Sequence, residues 1–169
     1  PGYGEGASEE IFGEALAPFA DRELFVASKV GSWGDQDVRA SVEKSLTRLR
    51  RDTLDLLQIH GTVYTPELFD TVMRRGGMVD QMEALKQEGL IKHIGFTAEA
   101  CNAPLDKLIA SQRFESIQMS YNLLFQHPYD PGWKSGCLYD AERAGMGIAV
   151  MRSTTSGIFQ RWIDMVNPR

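Results

Sequence analysis

The sequence predicts an α/β fold, namely an incomplete (β/α)8 TIM barrel in which about five parallel strands alternate with helices. Short apolar runs alternate with segments of helical apolar spacing along the whole chain. Strands that are joined through helices must be parallel. The sequence lacks the glycine-rich phosphate-binding motif that is typical of an open dinucleotide-binding sheet. A complete barrel needs about 250 residues, whereas this chain has 169. We therefore expect residues 1–169 to form a single partial domain that lacks N-terminal and C-terminal strands and has unpaired sheet edges.

The first part of the chain provides two strands and two helices. A helix is expected over residues 8–19, with Ser8 as its N-cap. Residues 24–30 follow as an apolar run typical of a buried strand. Apolar residues then recur at helical spacing over residues 38–49, and a second strand is expected over residues 55–60.

The remainder repeats the same alternation, with glycines and prolines at the element ends. The segment 61–77 is long for a connection between a strand and a helix, which predicts a functional or disordered loop. The expected elements are a helix from residue 78 that stops at Gly89, a strand over 91–97, a helix that opens at Asn102, a strand over 116–121, a helix over 135–144, a strand over 147–152 and a helix from residue 158 that ends before Pro168.

Composition and charge narrow the class of protein. Hydrophobic residues make up 43% of the chain and charged residues 24%, as in folded proteins. A net charge of −5 with interspersed signs gives no footprint for nucleic acid, and no apolar run reaches membrane-spanning length. Cys101 and Cys137 form no metal-binding pattern, so we expect a reduced pair in a cytoplasmic protein. The oligomeric state is not predicted.

Polar residues stand at or near the ends of five predicted strands. They are Lys29, His60, Thr97, Gln118 and Arg152. In a (β/α)8 barrel the active site forms at the C-terminal ends of the strands. Gln118 also alternates with apolar residues along its strand, so its amide is expected to point into the barrel.

Several motifs occur in one order along nearly the whole chain. They are Tyr3-Gly4-x-Gly6-x-Ser8-Glu9, Phe25-Val26-Ala27-Ser28-Lys29-Val30, Ser45-Leu46-x-x-Leu49, Asp55-Leu56-Leu57-Gln58-Ile59-His60, Ala84-Leu85-x-x-Glu88-Gly89-Leu90-Ile91-Lys92-His93-Ile94-Gly95-Phe96-Thr97, Gln118-x-x-Tyr121-Asn122 and Gly147-Ile148-Ala149-Val150-Met151-Arg152. As a set, they make the chain resemble the aldo-keto reductases. The resemblance implies a (β/α)8 barrel that binds NADPH and reduces aldehyde or ketone carbonyls to alcohols, or runs the reverse reaction.

The resemblance also implies a catalytic role for three residues. Tyr3 matches the family's general acid, Lys29 its neighbour, and His60 the group that orients the substrate carbonyl. A phenol is a poor proton donor at neutral pH, and a nearby ammonium improves it by stabilising the phenolate. A neutral imidazole can donate to the carbonyl oxygen and hold it for hydride transfer. The cofactor supplies the hydride.

The implied cofactor is NADP(H), and no metal site is expected. Gln118 matches the family's contact with the nicotinamide amide. By the same resemblance, Thr97, Met151, Arg152 and Ser153 are expected to bind the cofactor.

The chain departs from the family's pattern in four places. The family has an aspartate five positions before the tyrosine, where this chain has only Pro1 and Gly2. Ala98 replaces the family's asparagine and loses an amide contact. Many family members have an aromatic ring under the nicotinamide, and Met151 stands at that position here. A methionine side chain is polarizable but supports the nicotinamide ring more weakly. The family's segment for the 2′-phosphate and adenine lies beyond residue 169, so we expect incomplete cofactor affinity.

The substrate is expected to be a small carbonyl or alcohol, but its identity is left open. Apolar and aromatic residues in segments 61–77 and 122–133, together with Trp33, are candidates for a substrate pocket or for a cover over the barrel end. Two alternatives to the enzyme are a cofactor-sensing binding module without turnover and a chain inactive on its own. Intact Tyr3, Lys29 and His60 favour the enzyme.

Overall fold

A computed structural model describes residues 2–31, 37–61 and 63–168. Five parallel strands form one sheet in the order of the sequence, which confirms the predicted incomplete barrel-type α/β fold. The strands are β1 (Ala27–Gly31), β2 (Leu54–His60), β3 (Ile91–Ala98), β4 (Ser116–Ser120) and β5 (Gly147–Met151).

Helices connect successive strands, as right-handed crossovers in a parallel sheet require. In addition, short 3-10 turns occupy Tyr3–Gly6, Ala17–Phe19 and Thr155–Gly157. The α-helices are α1 (Ala7–Leu16), α2 (Val38–Leu49), α3 (Pro66–Met73), α4 (Met78–Gln87), α5 (Ala103–Ala110), α6 (Cys137–Arg143) and α7 (Ile158–Val166).

The strands separate an apolar face from a polar face. Because side chains alternate along a strand, neighbours point to opposite sides of the sheet. On the helix side, the fully buried residues form the core, and each contributes roughly 1.5–3 kcal/mol by burial. They include Val30, Leu57, Ile59, Phe96, Ile117 and Met119. The opposite face carries the polar residues predicted for the site.

Two predicted elements near the start of the chain are shorter than expected. The first helix ends at Leu16, because Pro18 lacks the N–H that continues an α-helix, and a 3-10 turn replaces its last turn. Strand β1 begins at Ala27 rather than at residue 24. Phe25, expected inside a buried strand, is 69% exposed.

The segment 61–77 is not the long loop that was predicted. It contains helix α3, whose N-cap Thr65 accepts a hydrogen bond from the amide of Leu68 at 3.2 Å. Pro66 occupies the first turn, where its missing N–H has no partner to lose. Thr65-Pro66-Glu67 was therefore a usable start signal.

The expectation of reduced cysteines is wrong. Cys101 and Cys137 form a disulfide, with their Cα atoms 5.8 Å apart. The bond joins the segment after β3 to the first residue of α6. Because disulfides persist in oxidising environments, the cysteines no longer support the expected cytoplasmic location.

Both edges of the described sheet are open. Strand β1 pairs only with β2, and β5 pairs only with β4, among the residues that the structure describes. Ile148 and Val150 on β5 are exposed, as is the apolar side of α7. The exposed α7 residues are Ile158, Phe159, Trp162, Ile163, Met165 and Val166. No helix in the described ranges is long and apolar enough to cross a membrane.

Candidate active site

Tyr3 and His60 meet at the carboxyl end of the sheet. Tyr3 opens the 3-10 turn before α1, and His60 is the last residue of β2. The Tyr3 Oη and His60 Nε2 atoms are 3.3 Å apart, within hydrogen-bond distance, and the ring centroids are 5.4 Å apart. Either group donates, depending on which imidazole nitrogen holds the proton. The structure thus brings together two residues that are 57 positions apart.

Lys29 joins this pair from strand β1. Its register partner on β2 is Gln58, two residues before His60 on the same face. The Lys29 Nζ atom lies 5.8 Å from the centroid of the Tyr3 ring, in a cation–π contact. Partial burial lowers the pKa of the Lys29 ammonium. All three predicted catalytic side chains therefore share one site.

The environment of His60 favours its neutral form. Partial burial lowers the pKa of the His60 imidazole, and the nearby charge of Lys29 lowers it further. Glu99, just after β3, acts in the opposite direction. A neutral imidazole keeps one N–H donor and one acceptor nitrogen. It can therefore donate a hydrogen bond to a carbonyl oxygen at neutral pH.

Thr97 and Gln118 are paired in register on adjacent strands β3 and β4. Both side chains lie on the polar face, because their strand neighbours are buried on the helix side. Thr97 is 2% exposed, and its hydroxyl donates to the carbonyl of Gly61 at 2.7 Å. The side chain of Gln118 is only partly buried, so its amide remains accessible to a ligand.

The other predicted cofactor residues follow one another at the end of β5. Met151 is the register partner of Ser120, and Ser153 is exposed in a turn. Arg152 has a left-handed backbone conformation and donates through Nη2 to Glu99 Oε1 at 2.6 Å. Its charge is therefore already paired within the chain.

Sequence reasoning missed Glu99 and Tyr64. Glu99 is the first charged residue after β3, and that position was its only signal. Tyr64 is fully buried, and its hydroxyl has no hydrogen-bond partner within the described residues. A tyrosine four residues after a strand, in a presumed loop, gave no indication of this burial.

The segments predicted to line a substrate pocket differ in structure and in exposure. In the segment 122–133, Tyr129 packs edge to face on Tyr121, which precedes the segment, with ring centroids 6.5 Å apart, whereas Trp133 is 85% exposed. Trp33 lies outside the described residues. The segment 61–77 supplies helix α3 instead of a loop.

A cavity of about 400 Å³ adjoins the three candidate catalytic residues. Tyr3, Lys29 and His60 line part of it. Its apolar wall comes from α1 and from the approach to β1, through residues that include Phe12 and Leu16. Among the described residues, the cavity borders strand β1 and meets the candidate site at these three side chains.

No group of three His, Cys, Asp or Glu side chains that could hold a metal ion occurs within residues 2–31, 37–61 and 63–168.

The chain is similar to known proteins over most of its length. The model of the Aldo/keto reductase family matches residues 1–168. The uncharacterized oxidoreductase YqkF of Bacillus subtilis is 29% identical over 138 residues, which cover 75% of this chain and 42% of that protein. The aldo-keto reductase YhdN of the same organism is 31% identical over 134 residues, or 73% of this chain and 38% of that protein.

A solved structure supports the fold. An aldo-keto reductase from Klebsiella pneumoniae in complex with NADPH aligns with a TM-score of 0.67 and 23% identity, covering 98% of this chain and 58% of that one. The chain thus spans 42% and 38% of the two curated relatives' lengths and 58% of this structure.

Proposed function

Because the chain belongs to the aldo-keto reductase family, we propose that it carries the catalytic residues of an NADPH-dependent oxidoreductase. The reaction is the reduction of an aldehyde or ketone to an alcohol, or its reverse. The observation that carries the proposal is the 3.3 Å contact between Tyr3 Oη and His60 Nε2, with the Lys29 ammonium over the Tyr3 ring. A phenol, an imidazole and an ammonium grouped in this way can deliver a proton to a carbonyl oxygen.

The three side chains have separate tasks. Neutral His60 donates a hydrogen bond to the carbonyl oxygen and orients it beside the Tyr3 hydroxyl. Tyr3 gives its proton to that oxygen as negative charge develops there. Lys29 stabilises the phenolate that remains, and its positive charge also opposes protonation of His60.

The polar face of β3 and β4 suits a nicotinamide amide. Thr97 and Gln118 lie side by side there, and Gln118 offers both a donor and an acceptor. Met151, on the next strand, offers a polarizable side chain for the ring. NADPH supplies a hydride when it is bound. The NADPH complex of the Klebsiella relative supports this choice of cofactor.

Arg152 and Ser153 remain candidates for cofactor contact with a smaller expected contribution, since Arg152 is engaged by Glu99. The substrate is a small carbonyl or alcohol, and the chain acts as one structural unit.

The test is NADPH oxidation with an aromatic aldehyde, using this chain with any residues that extend it in its gene. His60→Gln is expected to lower kcat/KM by about 100-fold or more, because the carbonyl loses its orienting donor. His93→Gln is the matched control, since His93 lies at the opposite end of β3 and contacts Glu115. Equal losses in both variants, or no aldehyde-dependent oxidation, would refute the proposal.

A further inference from the structure

His60 sits at the centre of a three-residue turn. The amide of Gly61 donates to the carbonyl of Ile59 at 2.9 Å, which reverses the chain directly after β2. Such turns are common at strand ends. The direction in which the His60 side chain leaves the backbone therefore depends on where Gly61, the last residue of the turn, is held.

Thr97, on the neighbouring strand, holds Gly61 through its carbonyl. Its hydroxyl has one proton, and that proton is donated to the carbonyl of Gly61 at 2.7 Å. Because Thr97 is 2% exposed, water does not compete freely for this bond. Losing a partner from a buried carbonyl costs about 1–3 kcal/mol, so the contact restrains the turn strongly.

Tyr64 confines Gly61 from another side. A Cβ atom at position 61 would overlap the Tyr64 hydroxyl, so only glycine fits there. The Tyr64 ring packs edge to face on Phe96, with centroids 5.8 Å apart. Its carbonyl accepts a hydrogen bond from Asn102 Nδ2 at 2.8 Å. The segment after His60 is thus fixed at Gly61 and again at Tyr64.

We propose that Thr97 is a positioning residue for His60, acting through the carbonyl of Gly61 to keep the imidazole against Tyr3. This inference rests on the proposed carbonyl reduction, in which His60 must present its Nε2 atom to the substrate. It adds a role for Thr97 distinct from contact with the nicotinamide. Thr97 approaches the site from β3, whereas its effect is exerted at the end of β2.

A consequence for ligand recognition follows from the single hydroxyl proton. Because that proton is directed at Gly61, the Thr97 oxygen can only accept a hydrogen bond from a ligand. A carboxamide at this site would therefore turn its NH2 group toward Thr97. Its carbonyl oxygen would be left for another donor, such as the Gln118 side-chain amide.

The test compares Thr97→Val, which keeps the side-chain shape without the hydroxyl, with Thr97→Ser, which keeps the hydroxyl. The readout is the NMR titration of the His60 imidazole in the folded chain, together with the nuclear Overhauser effect between the Tyr3 and His60 rings. Tyr3, Lys29 and Glu99 are among the ionisable groups that act on His60, and all three are unchanged in these variants.

In Thr97→Val the released turn exposes the imidazole, so its pKa rises toward the ordinary value and the ring contact weakens. In Thr97→Ser the pKa of His60 and the contact between the Tyr3 and His60 rings stay near their wild-type values. Thr47→Val removes a hydroxyl that donates to a helix carbonyl far from the site, and it leaves both unchanged. If Thr97→Val does not fold, Thr97→Ala replaces it, because the smaller side chain leaves room for a water on Gly61.

An unchanged His60 titration and ring contact in a folded Thr97→Val or Thr97→Ala protein overturn the inference. Weaker NADPH binding with His60 unaffected would assign Thr97 to cofactor contact alone. These measurements need no turnover, so they fail independently of the proposed carbonyl reduction.

Discussion

Arg152 and Glu99 form an ion pair that spans the end of strand β4. The guanidinium leaves the end of β5 and meets the carboxylate just after β3, with Nη2 and Oε1 2.6 Å apart. Glu99 is also the group that opposes the lowering of the His60 pKa. Arg152, a residue predicted to bind cofactor, is therefore linked electrostatically to an imidazole three strands away.

Arg152→Met should raise the pKa of His60, because Glu99 loses its partner and its negative charge acts more fully on the imidazole. Glu99→Gln should lower the same pKa. NMR titration of His60 in the two variants measures both effects. Shifts in the same direction, or no shift in either variant, would contradict this electrostatic link.

Tyr64→Phe should stabilise the protein by about 1 kcal/mol. The Tyr64 hydroxyl is buried without a partner, and removing it ends a desolvation penalty without breaking a bond. Urea unfolding gives the change in the free energy of unfolding. Tyr129→Phe is the control, since that hydroxyl donates to Glu142 at 2.9 Å and its loss should give no gain. A destabilised Tyr64→Phe protein would contradict the assignment of an unpaired hydroxyl.

Lys29→Met should abolish turnover while stabilising the protein by about 0.5 kcal/mol at pH 7. Burial lowers the pKa of Lys29 in the folded state, so the unfolded chain keeps this proton to higher pH. Between the two pKa values, the free energy of unfolding of the wild type rises with pH, and below the folded pKa the full penalty remains.

The measurement for Lys29 is urea unfolding across the alkaline range. The free energy of unfolding of Lys29→Met should not rise with pH in this range. Lys44→Met, changed at an exposed helix position, should keep the rise seen in the wild type. Identical pH profiles for wild type and Lys29→Met would show that burial does not affect this ammonium.

Reduction of the Cys101–Cys137 disulfide should lower the free energy of unfolding by about 3–4 kcal/mol, because the bond closes a sequence separation of 36 residues in the unfolded chain. Denaturation with and without reductant measures this difference. The free energy of unfolding of Cys137→Ala should equal that of the reduced wild type, and reductant should not change it. Alkylation of both thiols in the untreated, folded protein would contradict the bond.

The strand and helix order was predictable from the sequence, because apolar periodicity reports directly which face of each element is buried. Helix α3 was missed because its short apolar face stands between glycine-rich ends, although Thr65 and Pro66 marked its start. The disulfide was not predictable, since it depends on two distant Cα atoms approaching to 5.8 Å.

The candidate site was also predictable only in part. Family motifs identified Tyr3, Lys29 and His60, and the structure places them together. The contacts of Thr97 with Gly61 and of Arg152 with Glu99 depend on which strand ends lie side by side. Sequence spacing carries no information on such contacts until the sheet order and register are known.

We propose that Tyr3 donates the proton to the carbonyl oxygen while NADPH transfers a hydride directly to the carbonyl carbon. The most direct test follows single turnovers with NADPH deuterated at the transferring C4 position and an aromatic aldehyde, for wild type and Tyr3→Phe. We expect deuterium on the alcohol carbon, and a rate reduced by about 100-fold or more in Tyr3→Phe with unchanged NADPH binding. Equal rates in the two proteins, or an alcohol without deuterium on that carbon, would contradict it.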